Sequence, residues 1–131
     1  MSISVRAKSI DLVLSALGTF YSVKLLRYRD LSKLLEEMRQ AQSTGVSDAD
    51  AIALYEAVVQ RRPRFILELG AGQSSAVIAL GMHDADCHSR FVAIEENPKW
   101  VAHHKETIPQ RLLPSIELIQ RNTAARQVDD A

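Results

Sequence analysis

The sequence has a single cysteine and a net charge of zero, and it has no apolar run that is clearly long enough to cross a membrane. Cys87 cannot form an internal disulfide, and its simplest interpretation is a reduced thiol in a cytoplasmic protein. The 16 basic and 16 acidic residues cancel, so no overall field attracts nucleic acid, although local patches remain possible. His83 and Cys87 share i,i+4 spacing, but two potential ligands do not make a zinc site, and we predict no metal. The 131 residues suffice for one core but are short for a complete doubly wound α/β domain.

The N-terminal segment combines basic residues with an apolar stretch and superficially resembles a signal sequence. Asp11 interrupts the stretch near its start, and no convincing small-residue cleavage site follows. Polar residues further along make the segment too polar for a confident bilayer span. Two interpretations stay open: an amphipathic helix packed on the domain, which we favour, and weak contact of residues 5–29 with a membrane surface. The second places several basic side chains near lipid headgroups: Arg6, Lys8, Lys24, Arg27 and Arg29.

Apolar periodicity predicts three helices followed by alternating strands and helices. The predicted helices span residues 5–27, 31–41, about 48–61, 74–81 and 99–107, and the predicted strands span 65–69, 91–94 and 116–119. Ser47 and Asn97 are predicted N-caps, with Pro98 as a first helical residue. Pro63 should end the third helix and push Arg62 towards extended geometry. Strands that alternate with helices of this length imply parallel pairing, here in the order 3-2-1.

The stretch from Phe65 to Ser75 carries the strongest functional signal. An apolar strand holds Glu68 near its end, and Gly70 and Gly72 then allow backbone angles and a close approach that a Cβ would forbid. The loop exposes backbone N–H groups beside a helix N-terminus, where the dipole favours an anion. Glu95 ends the next strand, 27 residues after Glu68. Because parallel strands end at the same edge of a sheet, both carboxylates should border one crevice.

Glu95 can accept both hydroxyls of a ribose, which is the usual role of an acid some way beyond such a loop. An adenosine-bearing cofactor therefore fits the arrangement. A dinucleotide fingerprint requires a third glycine around the pyrophosphate, and this chain has Ser75 at that position. S-adenosylmethionine also carries an α-amino group, for which Glu68 offers an acceptor, directly or through water. These two carboxylates together favour S-adenosylmethionine over a dinucleotide.

At this point the stretches Leu67–Gly72 and Val92–Pro98 resemble the first two motifs of the class I S-adenosylmethionine-dependent methyltransferases. The resemblance covers about residues 47–120. It implies a partial Rossmann-like, three-layer α/β/α fold with a short parallel sheet of three strands, preceded by N-terminal helices. We accordingly expect an N-terminal helical segment at residues 1–45 and, at 46–131, only the N-terminal half of the cofactor-binding domain.

The resemblance also implies roles for the residues that match the first motif. Glu68, Gly70, Ala71 and Gly72 would surround the methionine part of the cofactor. The family often has glycine where this chain has Ser74, whose hydroxyl could add a hydrogen-bond donor.

At the other end of the cofactor, the resemblance implies that Glu95 binds the ribose hydroxyls and that Glu96 lies beside the adenine edge. Beyond the third strand the family commonly has an acid near the adenine amino group, and Asn122 could serve there. A simpler interpretation of Glu95 and Glu96 is that they are solvated charges favourable to the following helix dipole.

Methyl transfer requires mainly positioning, because the sulfonium of the cofactor is already activated. No residue stands out as a general base, and the methyl acceptor is open. His103 and His104 are predicted to be surface or packing residues, since nothing nearby would orient them, and Trp100 is predicted to lie in the core.

Three strands in this order would leave Phe65–Leu69 as a bare apolar edge. We predict that a missing C-terminal half covers this edge, with a homo-oligomer as the alternative. Two other functions stay open: an NAD-dependent Rossmann oxidoreductase fragment, and a non-catalytic interaction module with a vestigial cofactor pocket.

Overall fold

A computed structural model describes residues 2–43 and 45–122, with only the backbone described for residues 2–11 and Ser22. Three helices come first: α1 (Ser2–Leu25), α2 (Arg29–Gln40) and α3 (Asp48–Arg61). Strands and helices then alternate: β1 (Phe65–Leu69), α4 (Gln73–Asp84), β2 (Arg90–Glu95), α5 (Pro98–Thr107) and β3 (Glu117–Gln120), with a 3-10 turn at Leu113–Ser115 before β3. The three strands pair in parallel, with β2 between β1 and β3. The predicted α/β class, element order and strand pairing are therefore confirmed.

The helix ends follow local chemistry. The Ser47 hydroxyl accepts a hydrogen bond from the Asp50 N–H at 3.1 Å, and the Asn97 side chain accepts one from the Lys99 N–H at 2.9 Å, as predicted for N-caps. The predicted geometry of Arg62 is wrong, because this residue is left-handed (φ 45°, ψ 57°). Its N–H donates to the carbonyl of Val58, so closure of the last helical turn outweighs the extended preference of a residue before proline.

Helix α4 is the central element of the core. From Ser75 to Met82 every residue is buried, because α2 and α3 pack on one side of the helix and the sheet lies on the other. Gly81 permits the close contact with α3, since a Cβ there would lie only 3.1 Å from the Cβ of Val58. Large side chains from several elements fill the surrounding space: Leu31, Leu34, Leu35, Met38, Ile52, Phe91, Ile108 and Leu112. This packing fixes the start of α4 relative to the ends of β1 and β2.

The two sides of β1 differ in their surroundings. The Glu68 side chain points towards α4, where it meets serine hydroxyls. Phe65, Leu67 and Leu69 point the other way and are 53%, 53% and 71% exposed. At β1 the described residues thus provide a helical layer on one side of the sheet only.

None of the helices within the described residues is long and apolar enough to cross a membrane.

Candidate functional site

A cavity of about 380 Å³ lies where β1 and β2 end. Its walls come from the loop after α2, the glycine loop between β1 and α4, the end of β2, and α5: Gln42, Ser43, Ala71, Gly72, Glu95, Trp100, His103 and His104. The volume falls in the range of small-molecule sites, roughly 300–1,000 Å³. The position is the one at which open α/β sheets bind ligands. The structure therefore brings three residues predicted from the sequence, Ala71, Gly72 and Glu95, onto one cavity.

The glycine loop, residues 70–72, is held by backbone hydrogen bonds and is open on its outer side. Gly70 has φ +81°, a conformation that favours glycine, and its N–H donates to the carbonyl of Ile94 at 2.7 Å. The Gly72 N–H donates to the Ser75 hydroxyl at 3.0 Å. A Cβ at Gly70 would meet nothing within 4 Å, and one at Gly72 would meet only His104 Cε1 at 3.8 Å. The space beside the loop is therefore free for a ligand.

Glu68 lies behind the loop and does not line the cavity. Its carboxylate accepts hydrogen bonds from the hydroxyl groups of Ser74 and of Ser75, the second at 2.5 Å. Burial raises the pKa of the Glu68 carboxyl above its ordinary value, and the two serine hydrogen bonds act in the opposite direction. Glu68 thus ties β1 to the first turn of α4. Its proposed contact with an ammonium group, and that of Ser74 with the cofactor, stay predictions.

Glu95 joins the glycine loop to the start of α5. Its Oε2 accepts a hydrogen bond from the Ala71 N–H at 3.3 Å, and its Oε1 accepts one from the Asn97 N–H at 3.0 Å. These two contacts fix the carboxylate at the cavity wall. Each carboxylate oxygen has lone pairs for a further hydrogen bond, so the group can still bind two hydroxyls of a ligand.

His104 is buried beside Glu95, with its Nε2 3.9 Å from Oε2 of the carboxylate. Its Nδ1 is buried and has no hydrogen-bond partner among the described residues. Burial lowers the pKa of the His104 imidazole, while the nearby Glu95 charge acts in the opposite direction. The ring is therefore a neutral wall of the site at physiological pH. His104 is thus a packing residue, as predicted, but it does have neighbours that orient it: the Glu95 carboxylate and the stacked ring of Trp100.

Trp100 is 52% exposed, so its predicted core position is wrong. Its indole stacks on the His104 ring with centroids 5.9 Å apart and planes 18° apart, and it meets the His103 ring edge-on at 5.3 Å. Helix α5 begins directly after the Asn97 cap, and its first residues lie along the cavity, so that these rings line the cavity wall. The sequence carries a signal for this surface: spacings of three and four residues place Trp100, His103 and His104 on one helix face.

The sequence does not predict that the loop after α2 forms part of the site. Gln42 and Ser43 line the cavity, and the Val46 N–H donates to the buried Gln73 side-chain oxygen at 3.1 Å, which ties this loop to the start of α4. No local sequence motif predicts that this loop contributes to the cavity wall. Glu96 and Asn122, in contrast, are exposed and do not line the cavity, so their suggested adenine contacts stay predictions.

Comparison with known proteins supports the fold. No family model and no curated protein matches the chain. A crystal structure of SAH-bound Podospora anserina methyltransferase PaMTH1 matches with a TM-score of 0.57 and 20% sequence identity, over 68% of this chain and 41% of that one. The chain therefore has an α/β fold similar to part of that methyltransferase, in agreement with the resemblance of the motifs around Gly70 and Glu95. It spans less than half the length of that methyltransferase.

Proposed function

We propose that this chain is the cofactor-binding portion of an S-adenosylmethionine-dependent methyltransferase. The observation that carries the proposal is the shared cavity of the glycine loop and Glu95 at the ends of two parallel strands. A solved structure of similar fold is an SAH-bound methyltransferase, which adds support. A cytoplasmic location is part of the same proposal.

The residues present fit such a cofactor. The open space beside Gly70 and Gly72 would admit its amino-acid end, and the fixed Glu95 carboxylate would accept hydrogen bonds from the ribose hydroxyls. Trp100 offers an exposed aromatic surface in the same cavity. When bound, S-adenosylmethionine supplies an already activated methyl group. The chain's own residues are then needed to bind and orient, and we assign no catalytic base.

Titration calorimetry with S-adenosylhomocysteine and NAD tests the proposal. We expect S-adenosylhomocysteine to bind and NAD to give no heat of binding. Trp100 is the single tryptophan of the chain, so its fluorescence gives a second signal from the cavity itself. Binding of NAD alone would favour an oxidoreductase. Binding of neither ligand would favour an interaction module with a vestigial pocket.

We further propose that additional polypeptide covers β1 in the active protein, either more strands of a longer chain or, as the alternative, a second copy. The support is the exposed apolar side chains of Phe65, Leu67 and Leu69 on an edge strand. Size-exclusion chromatography with light scattering tests this expectation. A stable, well-folded monomer of this chain that does not associate would contradict it.

A further inference from the structure

Helix α1 carries the largest set of exposed apolar side chains among the described residues. Every residue from Leu12 to Phe20 is exposed, and within the part of α1 whose side chains are described, the end around Tyr21 and Leu25 packs on the rest of the protein. The exposed large side chains are Leu12, Val13, Leu14, Leu17, Phe20 and Val23. Such an extended apolar surface marks an interaction site.

The distribution of these side chains around the helix indicates the kind of partner. At about 100° per residue, the six side chains span an arc of roughly 200°, from Leu12 to Leu14. Lys8, Asp11, Ser15, Gly18 and Thr19 occupy the remaining side. A second helix of a coiled coil would cover only a narrow seam of such a surface. A helix at a membrane interface buries a wide apolar arc, so the arc of α1 fits a lipid surface better than a paired helix.

Charge favours the same partner. Residues 5–30 contain five basic side chains and only two acids, Asp11 and Asp30, although the whole chain is neutral. Arg27 and Arg29 are exposed directly beyond the helix, and Lys24 is held in its last turn by Glu56 at 3.0 Å. The polar side of the helix carries one charge of each sign, Lys8 and Asp11, so the other basic residues of the segment would supply the net attraction to anionic headgroups.

We propose that α1 lies on a membrane surface containing anionic lipid, with the arc of Leu12, Val13, Leu17, Phe20 and Val23 at the acyl boundary. This surface is separate from the cavity at the ends of β1 and β2 and does not depend on the function proposed for it. The helix rests on the bilayer and does not span it, in keeping with the finding that no described helix is apolar enough over a sufficient length to cross a membrane.

Vesicle flotation of the full chain tests the proposal. We expect co-migration with phosphatidylcholine vesicles that contain phosphatidylserine at low salt, and loss of co-migration with pure phosphatidylcholine or at high salt. Absence of flotation with the anionic vesicles at low salt overturns the proposal. A dimer in light scattering that Leu17→Ser disrupts, without flotation of the parent protein, would assign the surface to a second copy and also overturns it.

Two matched pairs of variants locate the contact. Phe20→Ser should abolish most of the flotation, whereas Phe65→Ser, which alters a similarly exposed ring on β1, should not. Arg27→Gln should weaken binding to anionic vesicles roughly fivefold, the contribution of one basic residue near such a surface, whereas Arg61→Gln should not. Unchanged urea unfolding curves would show that the variants are folded. Equal effects of Phe20→Ser and Phe65→Ser would contradict the assignment to α1.

Discussion

Two glutamates near the ends of neighbouring strands have different surroundings. Glu68 is bound by the hydroxyl groups of Ser74 and Ser75 inside the protein, whereas Glu95 is fixed by backbone N–H groups at the wall of the cavity. Sheet register explains the difference. Glu68 pairs with Ala93, two residues before Glu95, so Glu95 reaches about 7 Å further towards the open end of the sheet. Position along the strand thus separates a carboxylate that supports the loop from one that lines the cavity.

The largest expected effect concerns ligand affinity. Glu95→Ala should weaken S-adenosylhomocysteine binding roughly 10- to 100-fold, because hydrogen bonds to a charged group contribute about 1.5–3 kcal/mol. Titration calorimetry measures the change. Glu106→Ala removes the same charge from an exposed position near the end of α5 and serves as the control. Unchanged affinity in Glu95→Ala would show that the carboxylate does not contact the ribose.

The matching substitution at Glu68 should act mainly on stability. Glu68→Ala leaves two serine hydroxyls without their acceptor, including that of the fully buried Ser75, at a cost of about 1–3 kcal/mol in the free energy of unfolding. Urea unfolding measures this cost. Glu68→Gln retains an acceptor oxygen and should lose less. A larger loss of affinity than in Glu95→Ala, with unchanged stability, would reverse the roles that we assign to the two carboxylates.

Substitutions at the two glycines of the loop should likewise differ, one acting on stability and the other on ligand binding. Gly70→Ala should cost about 1–2 kcal/mol of unfolding free energy, because an L-residue is strained at φ +81°. Gly72 is extended (φ 169°), so Gly72→Ala should change stability by less than about 0.5 kcal/mol while its methyl group enters the ligand space. Urea unfolding and calorimetry on both variants check this contrast. Equal stability of the two variants would argue against the left-handed turn at Gly70.

The sequence was sufficient to predict what depends on local pattern. Alternating apolar segments and the caps at Ser47 and Asn97 led to the correct order of helices and strands, and the glycine spacing located the loop. The sequence could not show that the Glu68 carboxylate accepts hydrogen bonds from serine hydroxyls, because that contact depends on where the start of α4 packs against β1. The wall formed by Ser43 comes from a loop far away in the sequence. Residue type alone favours a core position for Trp100, whereas in the structure its helix runs along an open cavity.

The smallest expected effect is on the pH dependence of stability, and it distinguishes Glu68 from the imidazole beside Glu95. Burial raises the pKa of Glu68 above 4.5. The contribution of this shift to the free energy of unfolding is therefore fully present below pH 4.5 and is lost as the pH rises through the pKa of the folded state. Burial lowers the pKa of His104 below 6.5. The contribution of this shift to the free energy of unfolding is therefore present above pH 6.5 and is lost as the pH falls through the pKa of the folded state.

Urea unfolding at a series of pH values measures both contributions. The stability advantage of the parent over Glu68→Gln should shrink as pH rises from about 4.5, and its advantage over His104→Phe should shrink as pH falls from about 6.5, because each variant lacks the titrating group. Parallel pH profiles for the parent and both variants would mean that neither group is buried as the structure has it.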